Sequence, residues 1–357
     1  MKLLITTQKV DINDDVLGFF YGWIAEFAKH CEGVTVICLY GGEYNLPPNV
    51  KVLSLGKEKN CQLSIVNCQL FKKLKYIFNF YRYIWQERKN YDAVFAHMNS
   101  EYVALGGILW RFWAKKVSLW NNHAIGNLAT WIAVKLAHIT FYTSPFSFNS
   151  KISGSKGKIM PAGIDTNIFK KEETAGKIKN SLLFLGRISP IKRADVLIKT
   201  IKTLDEKGAD FVLNVVGEPA ERDKDYYEGI KKIAEEMEKR GKIKFFGKVK
   251  NYETPAHYNK NEIFINLTNS GSLDKTILEA MACESLVLIS NESFRGILPP
   301  ELMFKENDNE DLKIKLMSLL KIGETEKREL GKKLREEVIK NHDLTLLVKK
   351  ILLELKK

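Results

Sequence analysis

The chain of 357 residues contains no run of about 18 apolar residues, so no segment of it reads as a membrane-spanning helix. Cysteine is scarce and badly placed for chemistry. Cys31, Cys38, Cys61, Cys68 and Cys283 form no Cys-x-x-Cys pair, have no histidine at metal-ligand spacing and fall mostly in apolar settings. They read as reduced, structural thiols, which argues against a disulfide framework and a zinc site. Repeats of solenoid length, low-complexity tracts and recognisable nucleic-acid modules are also missing. The opening Met1-Lys2-Leu3-Leu4-Ile5-Thr6-Thr7 runs at once into polar and acidic residues with no cleavage region. It reads as a first β-strand, and the expectation is a cytoplasmic protein, with peripheral contact on the inner face of a membrane left open.

What is present is length enough for two domains and an excess of positive charge. The 56 Lys and Arg outnumber 43 Asp and Glu, and the excess is uneven. Residues 1–170 carry +9 and residues 171–357 carry +4. A basic first half suits an anionic partner such as a phosphorylated acceptor, a membrane surface or nucleic acid. A solvated lysine-rich surface fits equally well.

Short apolar runs alternate with helical patterns through the first half, with strands expected at 3–7, 34–39, 50–55, 93–96, 116–120, 139–143 and 158–160. Helices are expected at 19–30, 65–89, 102–113 and near 128–136. The polar stretch 170–180 reads as a linker, after which the alternation restarts with strands at 181–185, 211–216, 242–246, 263–267 and 286–289. Such alternation predicts parallel sheets with crossover helices, hence an α/β fold of two Rossmann-like halves. Residues 1–170 and 171–340 are the expected domains, and a C-terminal helix at 341–357 is expected to cross back onto the first.

Two stretches carry chemistry. In Leu183-Phe184-Leu185-Gly186-Arg187 a buried strand ends at a glycine followed by a guanidinium, and Lys192 stands five residues on, just before a helix. Two cations and a helix N-terminus suit a diphosphate without a metal. The structural alternative has the pair capping the sheet edge or meeting Asp195. Leu278-Glu279-Ala280-Met281-Ala282 then places a carboxylate on a later helix.

These residues, with Pro161-Ala162-Gly163-Ile164-Asp165 before the linker, resemble the family 4 retaining glycosyltransferases of the glycosyltransferase B fold. The resemblance implies two Rossmann-like domains facing across a cleft, the first binding a glycan or lipid-linked acceptor and the second a nucleotide-diphosphate sugar as co-substrate. No cofactor, metal or nucleic acid is implied. Arg187 and Lys192 would hold the donor diphosphate and stabilise the departing nucleotide, while Glu279 would accept hydrogen bonds from the ribose. Gly186, Gly217, Val249 and Lys250 would line the nucleotide site, and Gly18 would face the donor phosphate from the first half. The family has a second carboxylate eight positions before Glu279, where this chain has Gly271. The following Ser272, Leu273, Asp274, Lys275 and Thr276 would offer backbone N–H groups to phosphate or sugar. Asp274 either replaces that carboxylate or caps the helix. By the same resemblance His123 faces the reacting sugar as a catalytic group and His97 binds the acceptor, although a histidine at a strand end serves more often as scaffold.

Asp223 and Asp225 look like a metal-binding pair but read better as the start of a charged helix. Between residues 65 and 89, Phe71, Leu74, Phe78, Tyr81 and Trp85 recur at helical spacing and predict the core face. Lys72, Lys73, Tyr76, Phe80 and Tyr83 are then left outside, as ordinary surface or as a dock for an anionic membrane or a lipid-linked acceptor. Two other readings remain. One keeps the fold and makes the chain a sugar-nucleotide epimerase or phosphorylase; the other makes it a non-catalytic relative that binds a polyanion or membrane.

Overall fold

The computed structural model describes residues 1–58 and 67–357, with side chains omitted for 67–69. Cys61 and the expected helix start at Ile65 lie outside the described residues, as does the side chain of Cys68. The chain forms two units. One comprises Met1–Gly163 together with Leu344–Lys357, and the other Ile164–Asp343. The first crossing therefore comes at Gly163, ahead of the polar stretch read as a linker.

In the first unit, strands β1 (Lys2–Val10), β2 (Gly33–Gly41), β3 (Val50–Ser54), β4 (Ala93–His97), β5 (Lys116–Trp120), β6 (Ile139–Tyr142) and β7 (Gly157–Ile159) form one parallel sheet. Their order is β3-β2-β1-β4-β5-β6-β7. Between them run α1 (Gly18–His30), α2 (Asn67–Gln86), α3 (Ser100–Phe112), α4 (Leu128–Leu136) and α5 (Phe148–Ile152). Parallel strands buried on both faces need apolar residues on each side. Accordingly, Leu3, Ile5, Phe95 and Phe141 pack with Phe20, Trp23 and Phe27 of α1. Leu4, Val94, Val117 and Leu119 pack on the other side with Phe80, Ile84, Tyr102 and Trp110 from α2 and α3.

The face of α2 is the reverse of the expected one. Phe80 and Ile84 are buried, Tyr76 and Tyr83 are half-buried, and Phe71, Leu74, Phe78 and Trp85 are exposed; of the expected core face only Tyr81 is half-buried and packs inward. Apolar residues occur on both sides of this helix, so periodicity alone could not choose the side that meets the sheet.

The second unit holds strands β8 (Ile178–Leu185), β9 (Val212–Val216), β10 (Ile243–Phe245), β11 (Asn261–Asn266) and β12 (Leu286–Ile289), all parallel, in the order β10-β9-β8-β11-β12. Helices α6 (Ala194–Glu206), α7 (Lys224–Lys239), α8 (Thr254–Lys260), α9 (Lys275–Ala282), α10 (Asn309–Lys321) and α11 (Glu324–His342) complete it. Asp223 and Asp225 stand at the start of α7.

The last helix, α12 (Leu344–Lys356), belongs to the first unit. Leu344, Leu347, Val348, Ile351, Leu352 and Leu355 join the core around Trp23, and Thr345 Oγ1 donates to Glu26 Oε1 at 2.8 Å. Gly163 explains the Pro-Ala-Gly-Ile-Asp segment. Its φ is +71°, its carbonyl accepts from Trp23 Nε1 at 3.0 Å, and a Cβ there would lie 2.4 Å from Leu347. Only glycine fits both the left-handed backbone and the close approach.

Candidate functional site

Open parallel sheets bind ligands beyond the carboxyl ends of their strands. In the second unit three adjacent strands end at glycines with positive φ: Gly186 after β8 at +149°, Gly217 after β9 at +136°, and Gly247 beyond β10 at +70°. The first two are packed backbone to backbone. A Cβ on Gly217 would sit 2.0 Å from the Gly186 carbonyl oxygen, and Gly186 N donates to Val216 O at 3.0 Å. The loops leaving these glycines carry Arg187 and Lys192, Glu218, and Val249 with Lys250.

Arg187 is exposed, and its guanidinium has no partner among the described residues. Lys192 differs: its Nζ donates to Asp274 Oδ2 at 2.6 Å. The alternative partner Asp195 is engaged elsewhere, accepting from Tyr226 Oη at 2.6 Å. Asp274 caps α9, accepting on Oδ1 from Thr276 N at 3.3 Å and Thr276 Oγ1 at 2.9 Å. Asn266 Nδ2 reaches its Oδ2 at 3.2 Å. With both oxygens doubly engaged, Asp274 positions Lys192 and caps the helix, leaving no acceptor site for a sugar hydroxyl. Burial pushes its carboxyl up, but the Lys192 charge and hydrogen bond, with help from Thr276 and Asn266, outweigh this and hold it at about 2.

Glu279, one turn further along α9, is 4% exposed and accepts from Tyr258 Oη at 3.1 Å. Burial pushes the Glu279 carboxyl up and the neighbouring Lys275 ammonium down, each against the other's charge. The Ser270–Asp274 loop, with Gly271 and Leu273 buried, is tied by Glu306, whose Oε1 accepts from Ser270 N and Ser270 Oγ at 2.5 Å each. Asn291 Nδ2 donates to Ser272 O at 2.9 Å. Lys250 N donates to Glu253 Oε2 at 2.9 Å, and its ammonium lies over the Tyr252 ring.

Sequence reasoning missed several members of this rim. Ser189, Thr268 and Ser290, each beyond a strand end, bury hydroxyl oxygens that have no partner among the described residues. Tyr258 and Glu306 were missed because their neighbours at the site lie 21 and 36 residues away in sequence.

The first unit places its three candidates separately. Gly18 is the first residue of α1. The ring of His97 is 2% exposed, stacked on Phe20 with centroids 3.8 Å apart, and Thr7 Oγ1 lies 3.5 Å from Nδ1. His123 is exposed on the loop after β5, its backbone N donating to Asn121 Oδ1 at 2.9 Å and its carbonyl accepting from Phe148 N.

A cavity of about 370 Å³ in the second unit, lined by Lys177, Glu262 and Lys327 among others, lies at the amino ends of β8, β11 and β12. Lys327 Nζ meets Glu262 at 2.6 Å, and Lys177 Nζ donates to the neutral Asn261 O and Ser285 Oγ at 2.9 Å each. It is therefore separate from the rim at the carboxyl ends of the strands. Among the described residues no group of three or more His, Cys, Asp or Glu is arranged to hold a metal. Cys31, Cys38 and Cys283 are buried free thiols, and burial pushes them up to about 11, 12 and 12.

Two parallel-sheet units, the second with glycine-ended strands, a cationic loop and a buried carboxylate on α9, make up the two-domain glycosyltransferase B fold. Residues 165–341 match the family model of glycosyl transferases group 1. Solved structures share the fold at low identity. HepE of Anabaena, in complex with UDP, aligns over all of both chains at 14% identity and a TM-score of 0.76. Sucrose-phosphate synthase of Thermosynechococcus elongatus aligns over 99% of this chain and 98% of its own, at 14% and 0.78. A glycosyltransferase of Rickettsia africae covers 99% and 97%, at 16% and 0.75. No curated protein matches by sequence.

Proposed function

We propose that the chain transfers a sugar from a nucleoside diphosphate sugar to a hydroxyl of a glycan or lipid-linked acceptor, at the cytoplasmic face of a membrane, with retention and without a metal, as the family 4 enzymes do. The observation that carries the reading is the Gly186–Lys192 loop. It presents one guanidinium without a partner among the described residues and one ammonium pre-positioned by Asp274, beside the N-termini of α6 and α9. Such an arrangement stabilises a departing diphosphate, since fixed cations are worth most where charge develops. The bond from the anomeric carbon to the diphosphate oxygen breaks with its electron pair on that oxygen. The acceptor oxygen bonds to the carbon, and its proton passes to the leaving phosphate. Glu279 accepts from the ribose hydroxyls, the backbone of 247–250 covers the base, and His123 is the first unit's group in the reaction. His97, held by Phe20, positions the end of β4 near the acceptor. Neither a cofactor nor a nucleic-acid partner is part of this reading.

Solved neighbours that hold UDP, and UDP with glucose, make uridine diphosphate the first ligand to test. Thermal shift against UDP, GDP, ADP and TDP in chelator should show stabilisation by one of them. Arg187→Ala and Lys192→Ala should each lower turnover by roughly 100-fold or more with the fold intact. Glu279→Ala should mainly weaken nucleotide binding. Undiminished turnover in both cation variants would move the diphosphate elsewhere. With labelled donor, epimerised free sugar and no glycosylated product would identify an epimerase instead.

A further inference from the structure

The outer layer of α2, α3 and α4 is unlike the rest of the surface. On α2 the side chains of Leu70, Phe71, Leu74 and Phe78 are 53–69% exposed, and Trp85 is 55% exposed. At about 100° per residue these five fall on one stripe, with Lys73 on one flank and Lys75 and Arg82 on the other. The helix carries four cations and no carboxylate. The stripe continues sideways. Trp85 meets Trp113 edge to face at 5.7 Å, beyond the exposed Ile108 and Phe112 of α3. Gly107 lets α3 approach Leu136 of α4, where Trp131 and Ile132 are exposed in turn. Five large apolar side chains leaving on the order of 100 Å² apiece give α2 alone about 500 Å², as much as the largest patch on a typical soluble monomer.

Charge decides between the occupants such a face could take. The first unit holds 23 Lys and Arg against 11 Asp and Glu, a net +12, which leaves +1 for the second. From residue 67 to 136 there are ten cations and only three carboxylates, and one of these, Glu87, is buried and paired with Lys51. A second copy of this chain docked here would set cations against cations. An anionic bilayer would take the apolar stripe into its acyl boundary while the flanking lysines and arginines reach the headgroups. No helix of the described residues is long and apolar enough to cross a membrane, so the contact is one that lies on the surface.

We propose that the α2–α3–α4 face is a peripheral docking surface for anionic lipid, with Phe71, Leu74 and Phe78 entering the interface and Lys73, Lys75 and Arg82 flanking them. It does not depend on the transferase reading, because lipid binding is measured without turnover. Flotation of the full chain with vesicles of phosphatidylcholine alone, or mixed with phosphatidylglycerol, tests it. Binding should favour the mixed vesicles by about tenfold or more and weaken with salt. Phe71→Ser with Leu74→Ser and Phe78→Ser should lose it by a similar factor, and Lys73→Glu with Lys75→Glu and Arg82→Glu should lose the preference for anionic lipid. In the unaltered protein, tryptophan emission should shift to the blue on adding mixed vesicles, because Trp85 leaves water; this reading needs no variant. Equal binding to both vesicle types, or unchanged binding in both triple variants, would overturn the proposal. Self-association in ultracentrifugation that the apolar triple variant abolishes would also overturn it, in favour of an interface between copies.

Discussion

Asp274 is where capping, charge and ligand positioning meet on one side chain. Its carboxyl lies at about 2 in the fold against an ordinary 3.8, so between those values the folded state binds fewer protons than the unfolded one. The stability it contributes, about 2 kcal/mol, is present above pH 4 and is lost as pH falls towards 2. Asp274→Asn keeps a cap but removes the charge. Urea unfolding from pH 5 down to 2 should therefore show a shallower acid loss in the variant, and equal slopes would refute the assignment. Gly217 offers a different residue-scale test. Its positive φ and the 2.0 Å approach of a Cβ to the Gly186 carbonyl leave no room for a side chain. Gly217→Ala should cost about 3 kcal/mol and weaken nucleotide binding, read by thermal shift with and without UDP. An unchanged Tm would show that the loop relaxes.

At the scale of elements, the loop before α9 depends on a carboxylate 36 residues further on, since Glu306 holds both donors of Ser270. Glu306→Ala should leave those donors without an acceptor, loosen Ser270–Asp274 and weaken binding of the proposed nucleoside diphosphate about tenfold by calorimetry, while Glu306→Gln restores most of it. An unaltered Kd in Glu306→Ala would separate this loop from donor binding. The strands and the glycine-ended turns were legible in the sequence because a buried parallel strand is a short apolar run closed by a residue that tolerates positive φ. The partner of Lys192 was not legible, because Asp274 lies 82 residues away and only the pairing of β8 with β11 brings the two together. Nor was the orientation of α2. The useful signal was the placement of Lys73, Lys75 and Arg82 on both flanks of the Leu74 stripe, where long cationic side chains belong to a helix face that meets water or headgroups.

At the scale of the whole chain, the first unit is discontinuous: its core is closed by a helix that arrives only after the entire second unit has been made. Residues 1–163 alone would leave Phe20, Trp23 and Phe27 of α1 without Leu347, Val348 and Ile351 against them. Six buried apolar side chains of α12, at about 1.5–3 kcal/mol each, come to on the order of 10 kcal/mol, which equals the whole stability of an ordinary domain. The second unit is continuous from Ile164 to Asp343 and carries its own closing contacts. Ile164 N donates to His342 O at 2.9 Å, Thr166 Oγ1 to Asp343 Oδ2 at 2.7 Å, and Arg335 to the Phe169 carbonyl at 3.0 Å. Ending the chain after Asp343 should therefore unfold the first unit selectively. Limited proteolysis should then degrade residues 1–163 while a fragment near Ile164–Asp343 survives and keeps whatever thermal-shift response the full chain gives to the proposed nucleoside diphosphate. Survival of the first unit in that truncated chain would mean that α12 covers a core able to stand without it.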